Sequence, residues 1–119
     1  MLPKNYRLKK SSAFKATYHT KNSVSDELFI IFAGKIKNHN SPTKTGFVVS
    51  KKNHKRAVKR NRLKRLMRES IRLEIKKNSL ALADKFTSLV IVARDKAIGK
   101  DFKTVQQSLS NLLYRLKTK

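Results

Sequence analysis

The sequence predicts one mixed α/β domain with helices docked on a small sheet, and three stretches carry that prediction. Residues 28–33 (LFIIFA) and 88–94 (SLVIVAR) are apolar runs of mostly β-favouring residues, too short for helices. Between them, residues 46–75 (GFVVSKKNHKRAVKRNRLKRLMRESIRLEI) pass from a short apolar strand into a densely basic stretch whose apolar residues recur at helical spacing. A strand, a crossover helix and another strand make a βαβ unit, so residues 45–50 and 88–94 are expected to run parallel.

In chain order, residues 1–10 (MLPKNYRLKK) read as an extended basic arm, with Pro3 disfavouring helix at Leu2. Ser11 or Ser12 is a fitting N-cap for a short helix ending near Tyr18, because a serine oxygen satisfies an orphan amide. Phe14 and Tyr18 stand one turn apart on its face. Taken alone the pair reads as core packing. With Lys9, Lys10, Lys15 and Lys21 around it, it also reads as a stacking platform for unpaired bases. Residues 21–25 are a candidate edge strand. In 28–33, alternation sets Leu28, Ile30 and Phe32 against Phe29, Ile31 and Ala33, and two apolar faces imply that both are covered in part. Residues 35–44 (KIKNHNSPTK) carry loop punctuation, and 45–50 returns as the expected antiparallel hairpin partner of 28–33.

Asn53 is the expected cap of the long helix, with Ala57 and Val58 as its first apolar contacts and fraying near Asn78 and Ser79. Leu63, Leu66, Met67, Ser70, Ile71 and Leu73 gather on one side; Lys64, Arg65, Arg68 and Arg72 gather on the other, with Asn61 and Arg62. Basic residues at i and i+4 disfavour each other, so a face of this kind calls for an external polyanion, most commonly a phosphate backbone. Residues 80–84 form a link and 95–100 a turn. Asp101 then caps a last helix striped by Phe102, Val105, Leu109, Leu112, Leu113 and Leu116. There is no internal repeat, and residues 1–119 read as a single domain.

Thirty Lys and Arg against seven Asp and Glu give a formal charge of +23, and no acid occurs between Leu28 and Arg68. Ordinary surfaces mix both signs, so a one-sign field marks a binding surface. The absence of cysteine excludes a disulfide framework and thiolate zinc fingers. With no signal-like or membrane-length apolar run, a soluble cytoplasmic protein without a membrane partner is expected. A duplex DNA reader would show a dimerisation element or helix-turn-helix spacing, and neither is evident. The acids Asp26, Glu27, Glu69, Glu74, Asp84, Asp95 and Asp101 sit mostly at element ends or on the basic helix, where Glu69 is expected to pair with Arg65. Neither they nor His19, His39 and His54 show metal-ligand spacing, and no Gly-rich phosphate loop or nucleophile with its base occurs. By itself the polypeptide is expected to bind no metal and catalyse nothing.

The stretch AVKRNRLKRLMRE, carrying Ala57, Val58, Arg60, Asn61, Arg62, Lys64, Arg65, Arg68 and Glu69, resembles the RNR-containing helix of the bacterial ribonuclease P protein family. Gly46, Val49, Ser50, Lys51 and Lys52 support the likeness, as do Leu2, Pro3, Arg7, Leu8 and Phe14 and the VIVAR run ending at Arg94. The resemblance implies an α+β two-layer sandwich of order α-β-β-β-α-β-α, shared with a domain of a small-subunit ribosomal protein. Its sheet would have about four strands. Its βαβ crossover would be left-handed, where general rules favour the right-handed form. It further implies the non-catalytic, monomeric subunit of an endoribonuclease that removes the 5′ leader of precursor tRNA, the chemistry belonging to the RNA subunit and its Mg ions. By position, Lys59, Arg60, Asn61, Arg62, Lys64, Arg65 and Arg68 would bind the catalytic RNA. Phe14, Tyr18 and Phe32 would line a cleft for the single-stranded leader, with Lys51 and Lys52 near its rim. The chain departs from the family at residues 53–56 (NHKR), which lack a glycine many members have, and in ADKFTSLV before the last strand, where an aspartate is frequent. A structural ribosomal protein is the competing class, compatible with composition and opposed by the motif set.

Overall fold

The computed structural model describes residues 6–35, 43–49, 57–76 and 86–118. Three helices, α1 (Ser11–His19), α2 (Ala57–Lys76) and α3 (Phe102–Thr118), alternate with strands β1 (Asn22–Ser25), β2 (Phe29–Ala33), β3 (Lys44–Val49) and β4 (Ser88–Ala93) in the order α-β-β-β-α-β-α. The strands form one mixed sheet ordered β1-β2-β4-β3, in which β4 is antiparallel to β2 and parallel to β3.

The parallel β3–α2–β4 unit is therefore present, but the expected pairing of 28–33 with 45–50 is not. Those strands run in opposite directions as anticipated, yet β4 lies between them. The insertion follows from β4 itself: all its residues are buried except half-buried Val92, so an interior position is the one that hides both its faces. The antiparallel hairpin is β1–β2 instead. Its turn is set by Asp26, whose Oδ1 accepts the Leu28 and Phe29 N–H groups at 2.8 Å each. Asp26 Oδ2 accepts the Ser108 hydroxyl, tying the hairpin to α3.

Alternation along the strands divides the sheet into two environments. Phe29, Ile31 and Ala33, with Leu89, Ile91 and Ala93, face a core completed by Leu63, Met67 and Ile71 of α2 and by Val105, Leu109, Leu112, Leu113 and Leu116 of α3. Phe86 and Ala97, which flank β4, enter the same core. This layer of α2 and α3 against the sheet is the α+β body. Asp101 caps α3 as expected, with the Thr104 N–H donating to its Oδ1 at 3.0 Å.

On α2, Leu63, Met67, Ser70 and Ile71 are buried and Leu66 and Leu73 half-buried. Ser70 is accommodated because its hydroxyl donates to the Leu66 carbonyl at 2.9 Å. Ala57 and Val58 do not join the core: both are exposed, Val58 at 79%. The helical repeat explains the correction, since Val58 lies one turn before Arg62 on the outer side and the buried series begins only at Leu63. Glu74 is buried and lines a hollow with Lys103 and Gln106 of α3.

Helix α1 packs on β4 and β2. Neither serine caps it: Lys10 holds the N-cap position in extended conformation with no side-chain bond, and both serines fall in the exposed first turn. The helix is secured towards its other end. Thr17 donates to the Ala13 carbonyl at 2.8 Å and shares a hydrogen bond with Ser88 at 2.5 Å, while Thr20 bonds the Thr17 and Ala33 carbonyls. Lys21 then turns the chain into β1 from the left-handed region, at φ 56°. Within the described part of the basic arm, Tyr6 packs on the core, Arg7 pairs with Thr45, and the Leu8 N–H donates to the Thr45 carbonyl at 3.0 Å. Lys51, Lys52, the Asn53 cap, the NHKR turn, the fraying at Asn78 and Ser79, the 80–84 link, His39, His54 and Asp84 lie outside the described residues.

Candidate nucleic-acid interface

On the sheet face away from the core, cross-strand partners align their side chains in rows. One row runs Ser23, Phe32, Val90, Gly46, and the next runs Ser25, Ile30, Val92, Val48. Helix α1 covers the first. Val90 is fully buried, the Phe14 ring lies on Gly46, and Tyr18 meets Phe32 edge-on with centroids 4.9 Å apart and planes at 88°. A Cβ at Gly46 would overlap the Phe14 ring, so the missing side chain is what lets the helix approach.

The second row is left partly open, with Ile30, Val92 and Val48 all half-buried. The result is a shallow apolar cleft beside α1. Phe14 and Phe32 are half-buried at its inner edge and Tyr18 is 37% exposed. Partial burial raises the Tyr18 hydroxyl above its ordinary pKa by desolvating the charged form. Phe14, Tyr18 and Phe32, grouped in one cleft by the family resemblance, lie along the same row of the sheet. Past the start of α1, Arg7, Lys9, Lys10 and Lys44 line a hollow of about 400 Å³. At the far end of the strands the lining is mixed: Asp26, Glu27 and Asp95 with Arg94 and Lys96.

The second surface belongs to α2. Lys59, Asn61, Arg62, Arg65 and Arg68 are exposed, while Arg60 and Lys64 are half-buried. The Arg60 Nε is enclosed and meets no acceptor among the described residues. Glu69 pairs with Arg72 at 2.5 Å, three residues on, and not with Arg65. The guanidinium grips both carboxylate oxygens, a fork geometry that Arg72 reaches from the adjacent turn. Hydrogen bonding by Arg72 lowers the Glu69 carboxyl below its usual pKa, and the same contact raises Arg72. Arg65 and Arg68 keep no carboxylate partner among the described residues. Because α2 packs on the core side of the sheet and α1 on the other, the two surfaces are separated by the sheet itself.

Among the described residues no three His, Cys, Asp or Glu side chains converge to hold a metal ion. No helix among them is long and apolar enough to cross a membrane. Sequence reasoning missed the part played by Gly46 and by the Thr17–Ser88 bond in setting the cleft. A lone glycine inside an apolar strand is the signal that points to close approach.

Fold and surfaces together define a class: a small, strongly cationic α+β domain with an aromatic cleft on one side and an exposed arginine-rich helix on the other. The family model described as Ribonuclease P matches residues 2–117, and the chain belongs to the ribonuclease P protein family. It is 36% identical over 114 residues to a ribonuclease P protein component of Clostridium novyi, covering 96% of each chain. It is 36% identical to one of an Exiguobacterium species over 98% of this chain and 94% of the relative. Solved structures of the Staphylococcus aureus and Thermotoga maritima RNase P proteins superpose with TM-scores of 0.76 and 0.74 at 27% and 29% identity. They cover 92% of this chain, and 94% and 96% of their own lengths.

Proposed function

We propose that this chain is the protein subunit of a cytoplasmic ribonuclease P, binding the catalytic RNA through α2 and the single-stranded 5′ leader of precursor tRNA through the cleft beside α1. One observation carries the reading: the sheet exposes an apolar row next to Phe14, Tyr18 and Phe32 while the cationic helix occupies the other side. One partner can then be held without covering the site for the other. Leaders differ in sequence between tRNAs, so their recognition suits phosphate charge and base stacking, which tolerate any base, better than base-edge hydrogen bonds. Lys51 and Lys52, by sequence position, would add phosphate contacts at the rim.

Hydrolysis is assigned to the RNA subunit, whose Mg ions supply the electrophilic assistance; the protein's own residues orient the two RNAs and offset their repulsion. The complex has one protein per RNA and no DNA or membrane partner in this reading. Reconstitution tests it. The purified chain added to a ribonuclease P RNA at low Mg concentration should stimulate 5′ leader removal, and the chain alone should leave precursor intact. Cleavage by the chain alone, or no stimulation of the RNA, would contradict it.

A further inference from the structure

At the edge of the α2 surface a separate hollow opens between the start of that helix and the turn after β4. It holds about 190 Å³ and is lined by Lys59, Arg62, Leu63, Leu66, Gly99 and Lys100. Its floor is apolar, Leu63 being buried and Leu66 half-buried, and its rim carries three exposed cations. Among the described residues no carboxylate lines it. The adjacent Asp101 directs its Oδ1 to the Thr104 N–H at the head of α3. Gly99 forms the remaining wall in the left-handed region, at φ 84°, and a Cβ built there meets no heavy atom within 4 Å.

We propose that this hollow receives one unpaired nucleotide of the catalytic RNA, its base seated on the two leucines and its phosphate held by Lys59, Arg62 and Lys100. The inference rests on the assignment of α2 to that RNA and deepens it. Cations alone would suit any anion, and leucines alone any apolar group; their combination matches a nucleotide, which carries a planar ring and a charge a few ångströms apart. The volume lies below the roughly 300–1,000 Å³ of drug-sized sites and accommodates a single ring system. Unpaired bases splayed out of an RNA fold are the ones proteins can reach, and Arg62 at the rim offers a guanidinium plane of the kind that stacks on them. Arg62 joins the hollow to Arg65 and Arg68 along α2, so the site continues the surface already described.

The test uses the full chain and the folded catalytic RNA, with affinity measured across a salt series. Gly99→Asn keeps a residue type that tolerates left-handed backbone and adds a bulky side chain at the wall of the hollow. Gly99→Ala imposes the backbone strain without filling it. The asparagine variant should bind about tenfold more weakly, about 1.4 kcal/mol, with an unchanged salt slope, as expected when an uncharged apolar contact is blocked. The alanine variant should bind like the wild type. Lys100→Gln should weaken binding and reduce the slope by less than the about 0.7–0.9 of a whole phosphate contact, because Lys59 and Arg62 still hold that phosphate. Base-reactivity probing of the RNA should find an unpaired nucleotide protected by the wild type and not by Gly99→Asn. Thermal unfolding keeps a folding defect distinguishable. If Arg65→Ala weakens binding while Gly99→Asn does not, the hollow is overturned and the α2 assignment survives. If neither does, both fall.

Discussion

At the scale of single residues, the cleft depends on a side chain that is absent. Gly46 lets the Phe14 ring rest on the β3 backbone, which holds α1 low enough for Tyr18 to reach Phe32. Gly46→Ala should therefore lift the ring, costing about 1–3 kcal/mol of stability as overpacking does, and weaken leader binding out of proportion to that cost. Denaturant unfolding and leader affinity, measured on the same variant, check it; unchanged leader affinity would mean that the ring position does not matter. Some of this is readable in the sequence. That Phe14 and Tyr18 share a helix face, and that Phe32 alternates with its strand neighbours, needs only periodicity; that the three line one cleft is implied by the family resemblance alone. The approach of Phe14 to Gly46 joins residues far apart in the chain, and no local pattern encodes which glycine an aromatic ring will cover. The pairing of Glu69 with Arg72 is hidden for a related reason: the i+3 and i+4 partners are both within reach, and side-chain geometry decides between them.

At the scale of elements, α2 and α3 show two ways in which sequence dictates a helix. Helix α3 has an unbroken apolar stripe and an aspartate cap, and both are legible because each is a local signal. The Thr104 side chain, chiefly, and its N–H lower the Asp101 carboxyl below the usual carboxylate value. A depressed folded-state pKa stabilises fully above the unfolded value, about 4, and that contribution disappears as pH falls through the lower folded value. Asp101→Asn keeps an acceptor at the cap and removes the titration. The gap in Tm between wild type and this variant should shrink as pH is lowered from about 6 to about 3; a gap that stays constant would exclude this origin.

Helix α2 instead carries like charges along one face, which its fold does not neutralise beyond the Glu69–Arg72 pair among the described residues. Arg62→Ala and Arg65→Ala should each weaken catalytic-RNA binding and flatten its salt dependence by about 0.7–0.9 for every phosphate no longer neutralised, read from affinity against salt concentration. An unchanged slope would place those side chains off the RNA. The strand order is the element-level feature that the sequence hides. Residues 28–33, 45–50 and 88–94 all read as strands, but which two are neighbours depends on which has most apolar surface to hide on both faces, and β4, buried along nearly its whole length, takes the place between the other two.

For the whole molecule, the charge of +23 and the placement of the surfaces belong to one design. A thin sheet puts the arginine-rich helix on its core side and the aromatic cleft on its other side, which in the proposed function lets two RNA segments be held at once. The charge is visible from composition, and so is its meaning as a binding field. That the two surfaces occupy opposite sides is not, because side is decided by the sheet's alternation together with the crossover, and neither is a property of the stretches themselves.

The most direct measurement of the central claim compares holoenzymes reconstituted with wild-type chain and with Phe14→Ala, binding either leader-bearing precursor tRNA or mature tRNA. Removal of one base–aromatic stack predicts an affinity for the precursor weaker by about five- to 150-fold, about 1–3 kcal/mol, with mature tRNA affinity unchanged. Equal weakening for both RNAs, or none for the precursor, would contradict the assignment of the cleft to the leader.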